Sequence, residues 1–371
     1  MYVASRKLKI LHVLWSGGIG GAEEYILTLI RHSDHLKYQI DICFLSNDGL
    51  MFEEAKKLKD VNVTYIGIKS GFDIKGALEF GVFLLRGRFD VIHSHMRNFI
   101  STAMMNIFAG SVPKVLTHHV GPVDAKIFKK NKLFYKVFTG SFRKITAISD
   151  MVKANLIDDF GVRPVDKVKV IYNGIDLKKF SESLPFPPDI QDVQRPDRYV
   201  FGFIGRMEHY KRPRLFVKIA AELLKKDKKF YFVMVGDGPE LEECRKMLNQ
   251  YGIGEYFKLL GFRRDIPNVI KLFDALLFTS FGEGFGIVLL EAMSMGVPVF
   301  AINDGAVPEI IVHKGNGILF DTAEPEIIAK HILEVLEDVK LLDEMKEQCK
   351  NDVCSRFGIN SCVREFESIY E

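Results

Sequence analysis

The sequence predicts an α/β protein with two doubly wound, Rossmann-like domains, because strand-length apolar runs alternate with amphipathic helical segments along most of its 371 residues. The alternation stops in a proline-rich stretch at 181–198 and then begins again, which indicates a linker. A hydrophobic content of 47% with 27% charged residues is typical of globular domains. We therefore expect an N-terminal domain at 1–180, a C-terminal domain at 199–355 and a last helix at 356–371.

The first domain opens with a strand, a glycine loop and a helix, which is the order of a nucleotide-binding half. The apolar run Leu8–Leu14 precedes the loop SGGIGGAEE, which contains Gly20 and Gly21, and a helix follows to about Ile30. Glu23 stands where the dinucleotide fingerprint needs its third glycine, so NAD binding is not expected here. Further strands are predicted at 38–45, 62–66, 89–93, 113–117, 143–147 and 167–171.

Four histidines lie at the carboxyl ends of two of these predicted strands. His93 and His95 close the fourth strand in DVIHSHM, and His118 and His119 close the fifth in VLTHHVG. Parallel sheets bind their ligands at this edge. The histidines are therefore candidates for a ligand site.

The pattern starts again after the linker. Strands are predicted at 199–204, 229–235, 256–260, 275–279 and 297–301, and helices at 215–224, 240–250, 265–272 and 324–350. One further stretch, FGEGFGIVLLEAMSMGVPV from Phe281 to Val299, carries the strongest functional signal of the chain.

The glycines of this stretch, among them Gly286, let the backbone approach a ligand, since no Cβ blocks it. The amides of Phe285, Gly286, Ile287 and Val288 would lie at a helix N-terminus, which favours anions. Carboxylates at Glu283 and Glu291 suit sugar hydroxyls, which donate hydrogen bonds. The stretch predicts a pocket for a ligand with phosphate and sugar. The alternative is an ordinary loop and core helix, but a carboxylate inside LLEAM is costly to bury without partners.

Two cations stand on the loop after the first strand of the second domain. Arg206 and Lys211 lie at a strand end, where they can clamp a diphosphate. The alternative is a solvated surface loop, because lysine and arginine are common at surfaces.

The second domain contains, in this order, the motifs IGRMEHYKRP, VMVGDGPELE, LGFRRDI, FGEGFGIVLLEAM and GVPV followed by VPEI. Because of these motifs and their order, the chain resembles the family-four retaining glycosyltransferases of the GT-B fold. The first domain agrees through GGAEE, AISDMVKANL and VIYNGIDLKKF. The resemblance covers nearly the whole chain. It implies two domains facing each other across a cleft, an acceptor-binding first domain, a donor-binding second domain and a last helix that crosses back to the first.

The resemblance also implies roles in donor binding. Arg206 and Lys211 would bind the donor diphosphate and neutralise the leaving group, and Glu291 would accept from the ribose hydroxyls. Glu283 would face the donor sugar, near the amides of Phe285, Gly286, Ile287 and Val288.

For the first domain, the resemblance implies that Gly20 and Gly21 let a loop close over the donor phosphate. His119 fits the threonine-x-histidine position of the family, because Thr117 lies two residues before it, and it would lie beside the sugar and the acceptor. His118 is an added neighbour, so which of the two points inward stays open. Arg212 stands where the family often has glycine.

Charge neutralisation by Arg206, Lys211 and a helix dipole can serve a nucleotide diphosphate leaving group without a metal. The sequence contains no acidic metal cluster, and we expect neither a metal nor another cofactor. The resemblance implies retention by front-face attack.

The charge is unevenly distributed. Residues 1–180 contain 27 Lys and Arg against 17 Asp and Glu, although the whole chain has a net charge of only +3. From Lys126 to Lys144 there are seven basic residues, no acid and several interleaved aromatic residues. This segment predicts a peripheral face for anionic lipid, and the alternative is an ordinary helix with its lysines outward.

The five cysteines are scattered and lack metal-ligand spacing, which fits a reducing compartment. The N-terminal apolar run is one strand long, which is too short for a signal peptide. No run approaches the roughly 18 apolar residues of a spanning helix. We expect a cytoplasmic protein that can lie on the inner face of a membrane, with no nucleic-acid partner.

The resulting hypothesis is a retaining glycosyltransferase. It would move a hexosyl or N-acetylhexosaminyl group from a nucleotide-diphosphate sugar, with uridine as the default base, to a lipid-linked or glycan acceptor in surface polysaccharide or glycolipid synthesis. The alternatives are a GT-B sugar-nucleotide enzyme such as an epimerase, a glycosyltransferase with a soluble small acceptor, and a binding protein that keeps the fold.

Overall fold

The computed structural model describes residues 6–18, 20–69, 73–119, 125–181, 184–190, 193 and 197–371. The chain forms two compact units, of which the first comprises the residues up to Gly174 together with Ile359–Glu371, and the second Ile175–Gly358. The described part of the stretch predicted as a linker belongs to the second unit, where Lys271 Nζ donates to the carbonyl of Leu184 at 2.8 Å.

The strands and helices of the two units follow in chain order. In the first unit they are β1 (Leu8–Ser16), α1 (Gly21–His32), β2 (Tyr38–Asn47), α2 (Leu50–Lys56), β3 (Val61–Tyr65), α3 (Ile74–Gly87), β4 (Val91–Ser94), α4 (Phe99–Phe108), β5 (Lys114–His118), α5 (Ala125–Phe138), β6 (Lys144–Ala147), α6 (Asp150–Ala154) and β7 (Val168–Val170). In the second unit they are β8 (Tyr199–Ile204), α7 (Pro213–Lys226), β9 (Phe230–Val235), α8 (Leu241–Tyr251), β10 (Phe257–Gly261), α9 (Ile266–Ile270), β11 (Ala275–Phe278), α10 (Ile287–Ser294), β12 (Val299–Ile302), α11 (Val307–Ile310), β13 (Gly317–Phe320), α12 (Pro325–Glu337) and α13 (Val339–Arg356). The last helix, α14 (Ile359–Tyr370), belongs to the first unit.

The first unit contains a seven-stranded parallel sheet in the order β3-β2-β1-β4-β5-β6-β7. Right-handed crossovers place α1 and α2 on one face of this sheet, and α3, α4, α5 and α6 on the other. Helix α14 packs on α1. The strand order reverses between the neighbours β1 and β4, which makes their carboxyl ends a topological switch point.

Polar caps fix the helices that follow the first unit's strands. The Asp73 side chain accepts from the amide of Gly76 at the start of α3, and Asn98 accepts from the amide of Ser101 at the start of α4. Each cap satisfies an amide that the helix itself leaves unpaired. The cap at Asn98 fixes where the loop after β4 enters α4.

The second unit contains a six-stranded parallel sheet in the order β10-β9-β8-β11-β12-β13. Its core is rich in phenylalanine: Phe201, Phe232 and Phe300 are fully buried on three strands, and Phe216 of α7 packs on Phe232 with ring centroids 5.8 Å apart. Each such ring buries on the order of 150–250 Å². The strand order reverses between β8 and β11, so this sheet also has a switch point.

These sheets confirm the predicted doubly wound α/β class. One strand, β13, was not predicted from the sequence. The helices predicted at 324–350 are α12 and α13, and α13 begins separately because Asp338 caps it by accepting from the amide of Leu341.

Candidate active site

The switch point of the second unit brings together the two loops predicted to bind the donor. Strands β8 and β11 are neighbours in the sheet, so the loops at 205–212 and 279–286 leave it at the same edge. The amide of Phe281 donates to the carbonyl of Tyr210 at 2.7 Å, and Thr279 Oγ1 donates to the carbonyl of Lys211 at 2.9 Å. These bonds hold one loop against the other.

Lys211 and Glu283, predicted for the diphosphate and for the donor sugar, form an ion pair. Lys211 Nζ lies 2.5 Å from Glu283 Oε2, and the side chains are only 13% and 16% exposed. A pair so shielded from water interacts more strongly than one on an open surface. Each charge holds the other in place at the centre of the loops.

Arg206, predicted as the second cation of the clamp, lies at the open side of the same loop. Its side chain is 72% exposed, and Nη2 lies 2.7 Å from Glu208 Oε1. An exposed guanidinium retains freedom to turn towards an anion, so the loop offers one fixed and one adaptable cation.

A third loop, which follows β12, supports the backbone of Glu283. This support was not predicted from the sequence. The amide of Ala306 donates to the carbonyl of Glu283 at 2.9 Å, and the Asp304 carboxylate accepts from the amide of Gly282. Gly305 has φ +60, and a Cβ there would lie 2.6 Å from the carbonyl oxygen of Glu283. The only sequence signal is the dipeptide Asp304-Gly305, which is typical of a turn.

Helix α10 begins where the sequence predicted an anion site. Gly286 precedes it with φ +85 and, as a glycine, has no side chain with which to cap the helix. Ile287 and Val288 form its first turn and are partly exposed, whereas the ring of Phe285 is buried. Glu291 is partly buried and follows Ile287 by four residues, so it lies on the same helix face one turn on.

Gly20 and Gly21, predicted to close over the donor phosphate, stand at the start of α1. Gly20 is its N-cap residue and Gly21 its first residue. The two glycines follow β1 at the switch point of the first unit. Glu23 lies next to Gly20, where burial raises the pKa of its carboxyl group and a bond to the backbone opposes this.

The histidines of the first unit form a hydrogen-bonded chain that the sequence analysis only partly anticipated. His12 and His93 are register partners on β1 and β4, so their side chains lie on the same sheet face. His12 Nδ1 lies 2.9 Å from His95 Nε2, and His95 Nδ1 lies 3.0 Å from His119 Nε2. His12 was missed because it stands inside the apolar run of β1.

His93 connects this group to two other elements. Its Nδ1 lies 2.7 Å from the hydroxyl of Tyr370 on α14, and its Nε2 lies 2.6 Å from Thr117 Oγ1 on β5. The last helix therefore takes part in the polar centre of the first unit.

His118 and His119 have different partners, as successive residues at a strand end should. His118 is buried, and its Nδ1 lies 2.5 Å from the Tyr135 hydroxyl and its Nε2 3.0 Å from Arg97 Nη1. His119 instead meets His95 and is partly exposed. His119 is thus the one that shares the switch point with the other histidines.

Burial keeps these imidazoles neutral. It lowers the pKa of His12 to about 3, and together with the nearby charge of Arg97 it lowers the pKa of His119 to about 3. The pKa of His95 is also far below its ordinary value, first by burial and then by the neighbouring histidines. At neutral pH each ring has one N–H, so the chain alternates donors and acceptors.

His12, His93 and His95 are also the group that could hold a metal among the residues the structure describes. One ring nitrogen from each lies within 4.8 Å of the others. Both nitrogens of His93 and of His95, however, already have hydrogen-bond partners. A metal would have to break this network, so the arrangement fits hydrogen bonding better.

Two loops with cations, carboxylates and a helix N-terminus meet at the switch point of the second unit, and their chemistry suits an anionic ligand that also carries hydroxyls. Two family models agree: the description "Glycosyltransferase Family 4" matches residues 19–179, and "Glycosyl transferases group 1" matches residues 188–352. The chain belongs to this family of GT-B glycosyltransferases and is an enzyme. The predicted family and the predicted GT-B fold are confirmed.

The chain is similar over most of its length to proteins with assigned activities. It is 26% identical to the UDP-Gal:alpha-D-GlcNAc-diphosphoundecaprenol alpha-1,3-galactosyltransferase of Escherichia coli, over 98% of this chain and 97% of that one. It is 24% identical to the D-inositol 3-phosphate glycosyltransferase of Salinispora arenicola, over 93% and 86%.

Among solved structures, Anabaena HepE in complex with UDP and glucose superposes with a TM-score of 0.84 at 21% identity, over 98% of this chain and 99% of that one. This likeness shows the fold. Among the described residues, no helix is both long enough and apolar enough to cross a bilayer.

Proposed function

We propose that this glycosyltransferase moves a hexosyl or N-acetylhexosaminyl group from a UDP-sugar to a lipid-linked acceptor, with retention of the anomeric configuration and without a metal. The observation that carries the proposal is the meeting of Lys211, Glu283 and the start of α10 at one edge of the second unit's sheet. The full-length similarity to an enzyme named for a UDP-sugar donor and a diphosphoundecaprenol-linked acceptor supports it.

The donor would bind through charge and hydrogen bonds that the loops already hold in place. Lys211 and Arg206 would neutralise the diphosphate as it leaves, together with the partial positive charge at the start of α10. Glu283 would accept from the sugar hydroxyls, and Glu291 from the ribose hydroxyls. Because Lys211 is paired with Glu283, its ammonium group would be positioned before the donor arrives.

The acceptor would be held by residues of the first unit. His119 is neutral at working pH, because the pKa of its ring is about 3. It would therefore act as a hydrogen-bonding group near the sugar and acceptor, and the leaving phosphate would help to remove the proton of the attacking hydroxyl. Gly20 and Gly21 would lie close to the donor phosphate.

Location at the inner face of a membrane is part of the same proposal. Helix α5 supplies exposed Lys129, Lys130, Lys132 and Lys136, and the helix has no acidic residue. Each lysine near an anionic surface contributes about 1 kcal/mol. An enzyme with a lipid-linked acceptor needs such a contact to reach its substrate.

A thermal-shift screen with uridine, guanosine and adenosine diphosphates and their sugars tests the donor. A ligand at 100 times its dissociation constant stabilises the native state by about 2.7 kcal/mol, so the correct base should stand out. The product of the selected donor with a diphosphopolyprenol-linked sugar is then analysed by NMR for its anomeric configuration. Absence of stabilisation by every uridine ligand, or an inverted product, would contradict the proposal.

A soluble acceptor is the second candidate, favoured by the similarity to the D-inositol 3-phosphate enzyme. The two candidates separate in one assay. In lipid-free buffer, an enzyme with a soluble acceptor would glycosylate a polyol phosphate. An enzyme specific for a lipid-linked acceptor would leave the polyol phosphate unmodified.

A further inference from the structure

Helices α3, α4 and α5 form one layer on one face of the first unit's sheet. Gly81 of α3 packs so closely on the ring of Phe108 of α4 that a Cβ there would lie 2.5 Å from it. On the other side of α4, the ring of Phe99 lies 5.5 Å from that of Phe134 of α5. Helix α4 is therefore the middle member of the layer.

The outer surface of this layer exposes large aliphatic side chains on all three helices. On α3 they are spaced by four, four and three residues, which places them in a single stripe along the helix. Ile74 at the start of the stripe is 74% exposed and Leu85 at its end 57%. The aliphatic face, as we call it, consists of Ile74, Leu78, Val82, Leu85, Ile107, Leu133 and Val137.

The charges around the aliphatic face are strongly biased. Helix α4 contains no charged residue, and α5 contains lysines without acids. On α3 the single acid is Glu79, whose Oε1 lies 3.8 Å from Lys75 Nζ. An amphipathic surface of aliphatic side chains flanked by lysines is suited to the interface of an anionic bilayer.

A protein partner fits this surface less well. Trp, Tyr and Arg dominate binding at protein interfaces, and on α3, α4 and α5 the one exposed side chain of these types is Arg86, beside Leu85. In a symmetric dimer of this chain the same patch would face itself. The α5 lysines would then meet helices that together contain a single acid, Glu79, so the contact would lack charge complementarity.

We propose that α3, α4 and α5 dock the enzyme on anionic membrane by inserting the aliphatic face, with the α5 lysines as the electrostatic part of the same contact. The inference rests on the proposed function, because a lipid-linked acceptor places the substrate at that surface. It adds a second component to the predicted lysine contact, one that does not depend on charge. The free energy gained by burying aliphatic side chains in the interface does not weaken with salt. The attraction of the lysines to anionic lipid does, because half-molar salt screens charges over a Debye length of ~4 Å.

Flotation with vesicles that lack any acceptor separates these two components. The vesicles contain phosphatidylcholine alone or with 30% phosphatidylglycerol, in 0.1 M or 0.5 M salt. The wild type should bind the anionic vesicles, and part of the binding should persist in high salt. Replacing Leu78 and Leu85 with glutamine should remove the salt-resistant part and reduce partitioning about tenfold or more, since each leucine has roughly half of its surface left to bury and so contributes on the order of fourfold or more.

The four-lysine variant, with glutamine at 129, 130, 132 and 136, should instead lose the salt-sensitive part. The matched control is Leu36→Gln, because Leu36 is 85% exposed in the turn before β2, away from the α3–α5 layer. This control should bind vesicles as the wild type does. Circular dichroism and UDP calorimetry verify that every variant is folded and retains its donor site.

Two results would overturn the inference. One is unchanged salt-resistant binding in the Leu78 and Leu85 variant. The other is a wild-type dimer in light scattering that the same variant converts to monomer, since the face would then bind a second copy. If UDP fails to bind while vesicles still bind through this face, the proposed donor is wrong and the docking inference stands.

Discussion

Replacing Gly305 with alanine should reduce turnover although it substitutes none of the residues predicted to contact the donor, because the new Cβ would displace the backbone of Glu283. A Cβ at this position would lie 2.6 Å from the Glu283 carbonyl oxygen and 2.8 Å from its amide nitrogen, whereas ordinary contact begins at 3.4 Å. Both contacts are backbone atoms, so no rotamer change relieves them. The Glu283 loop must therefore move by about 0.8 Å.

The size of the effect follows from this displacement. A misplacement of about 1 Å in a site can reduce the rate on the order of a hundredfold, so we expect kcat to fall by roughly 10- to 100-fold. Alanine at φ +60 also destabilises the fold by about 1–2 kcal/mol, partly offset by the reduced entropy of the unfolded chain.

Gly252 provides the matched control in the same unit. It has φ +64, and a Cβ there would meet nothing within 4 Å. Gly252→Ala therefore reproduces the backbone strain without displacing Glu283. Urea unfolding and steady-state kinetics are measured for both variants. Wild-type kcat in Gly305→Ala, or an equal loss of kcat in both, would refute the role assigned to the loop after β12.

Three further predictions concern the charges and the histidines. Arg206→Ala and Lys211→Ala should each reduce turnover, measured as release of nucleotide diphosphate, on the order of a hundredfold. Unchanged rates in both variants would contradict the assignment of the two residues to the diphosphate. Glu291→Gln should weaken the binding of free nucleotide diphosphate by roughly 1.5–3 kcal/mol in calorimetry, and an unchanged dissociation constant would make Glu291 structural. The pKa values of His12 and His119 are about 3 in the fold and about 6.5 in the unfolded chain. Between these values the unfolded chain binds more protons than the folded chain. The free energy of unfolding should therefore fall as the pH drops from about 6.5 towards 3. His12→Gln should reduce this slope in urea titrations, and an identical slope would contradict the assignment.

The fold was predictable because its signal is local. Strand-length apolar runs alternating with amphipathic segments mark each βα unit, and neighbouring elements on the chain are neighbours in space. The exception, β13, consists of only four residues, GILF, and so short a run lacks a measurable period.

The site was only partly predictable because its contacts join distant positions. The glycines and carboxylates of the stretch that begins at Phe281 lie within one motif, and so they were found. The pairing of Lys211 with Glu283 and the support from Gly305 are set by which strands are adjacent, β8, β11 and β12, and no local pattern records that order. His12 carried a signal, a histidine within an apolar strand, but its partner His95 is visible only in the sheet.

Helix α14 has a consequence for how the enzyme is made. The first unit needs the last residues of the sequence: Tyr370 pairs with His93, and Cys362 Sγ lies 2.8 Å from the Tyr25 hydroxyl. During synthesis these residues leave the ribosome after the whole second unit. The first unit can therefore pair Tyr25 and His93 with α14 only after the second unit has been synthesised, so the later-encoded half of the enzyme is the first that can be complete.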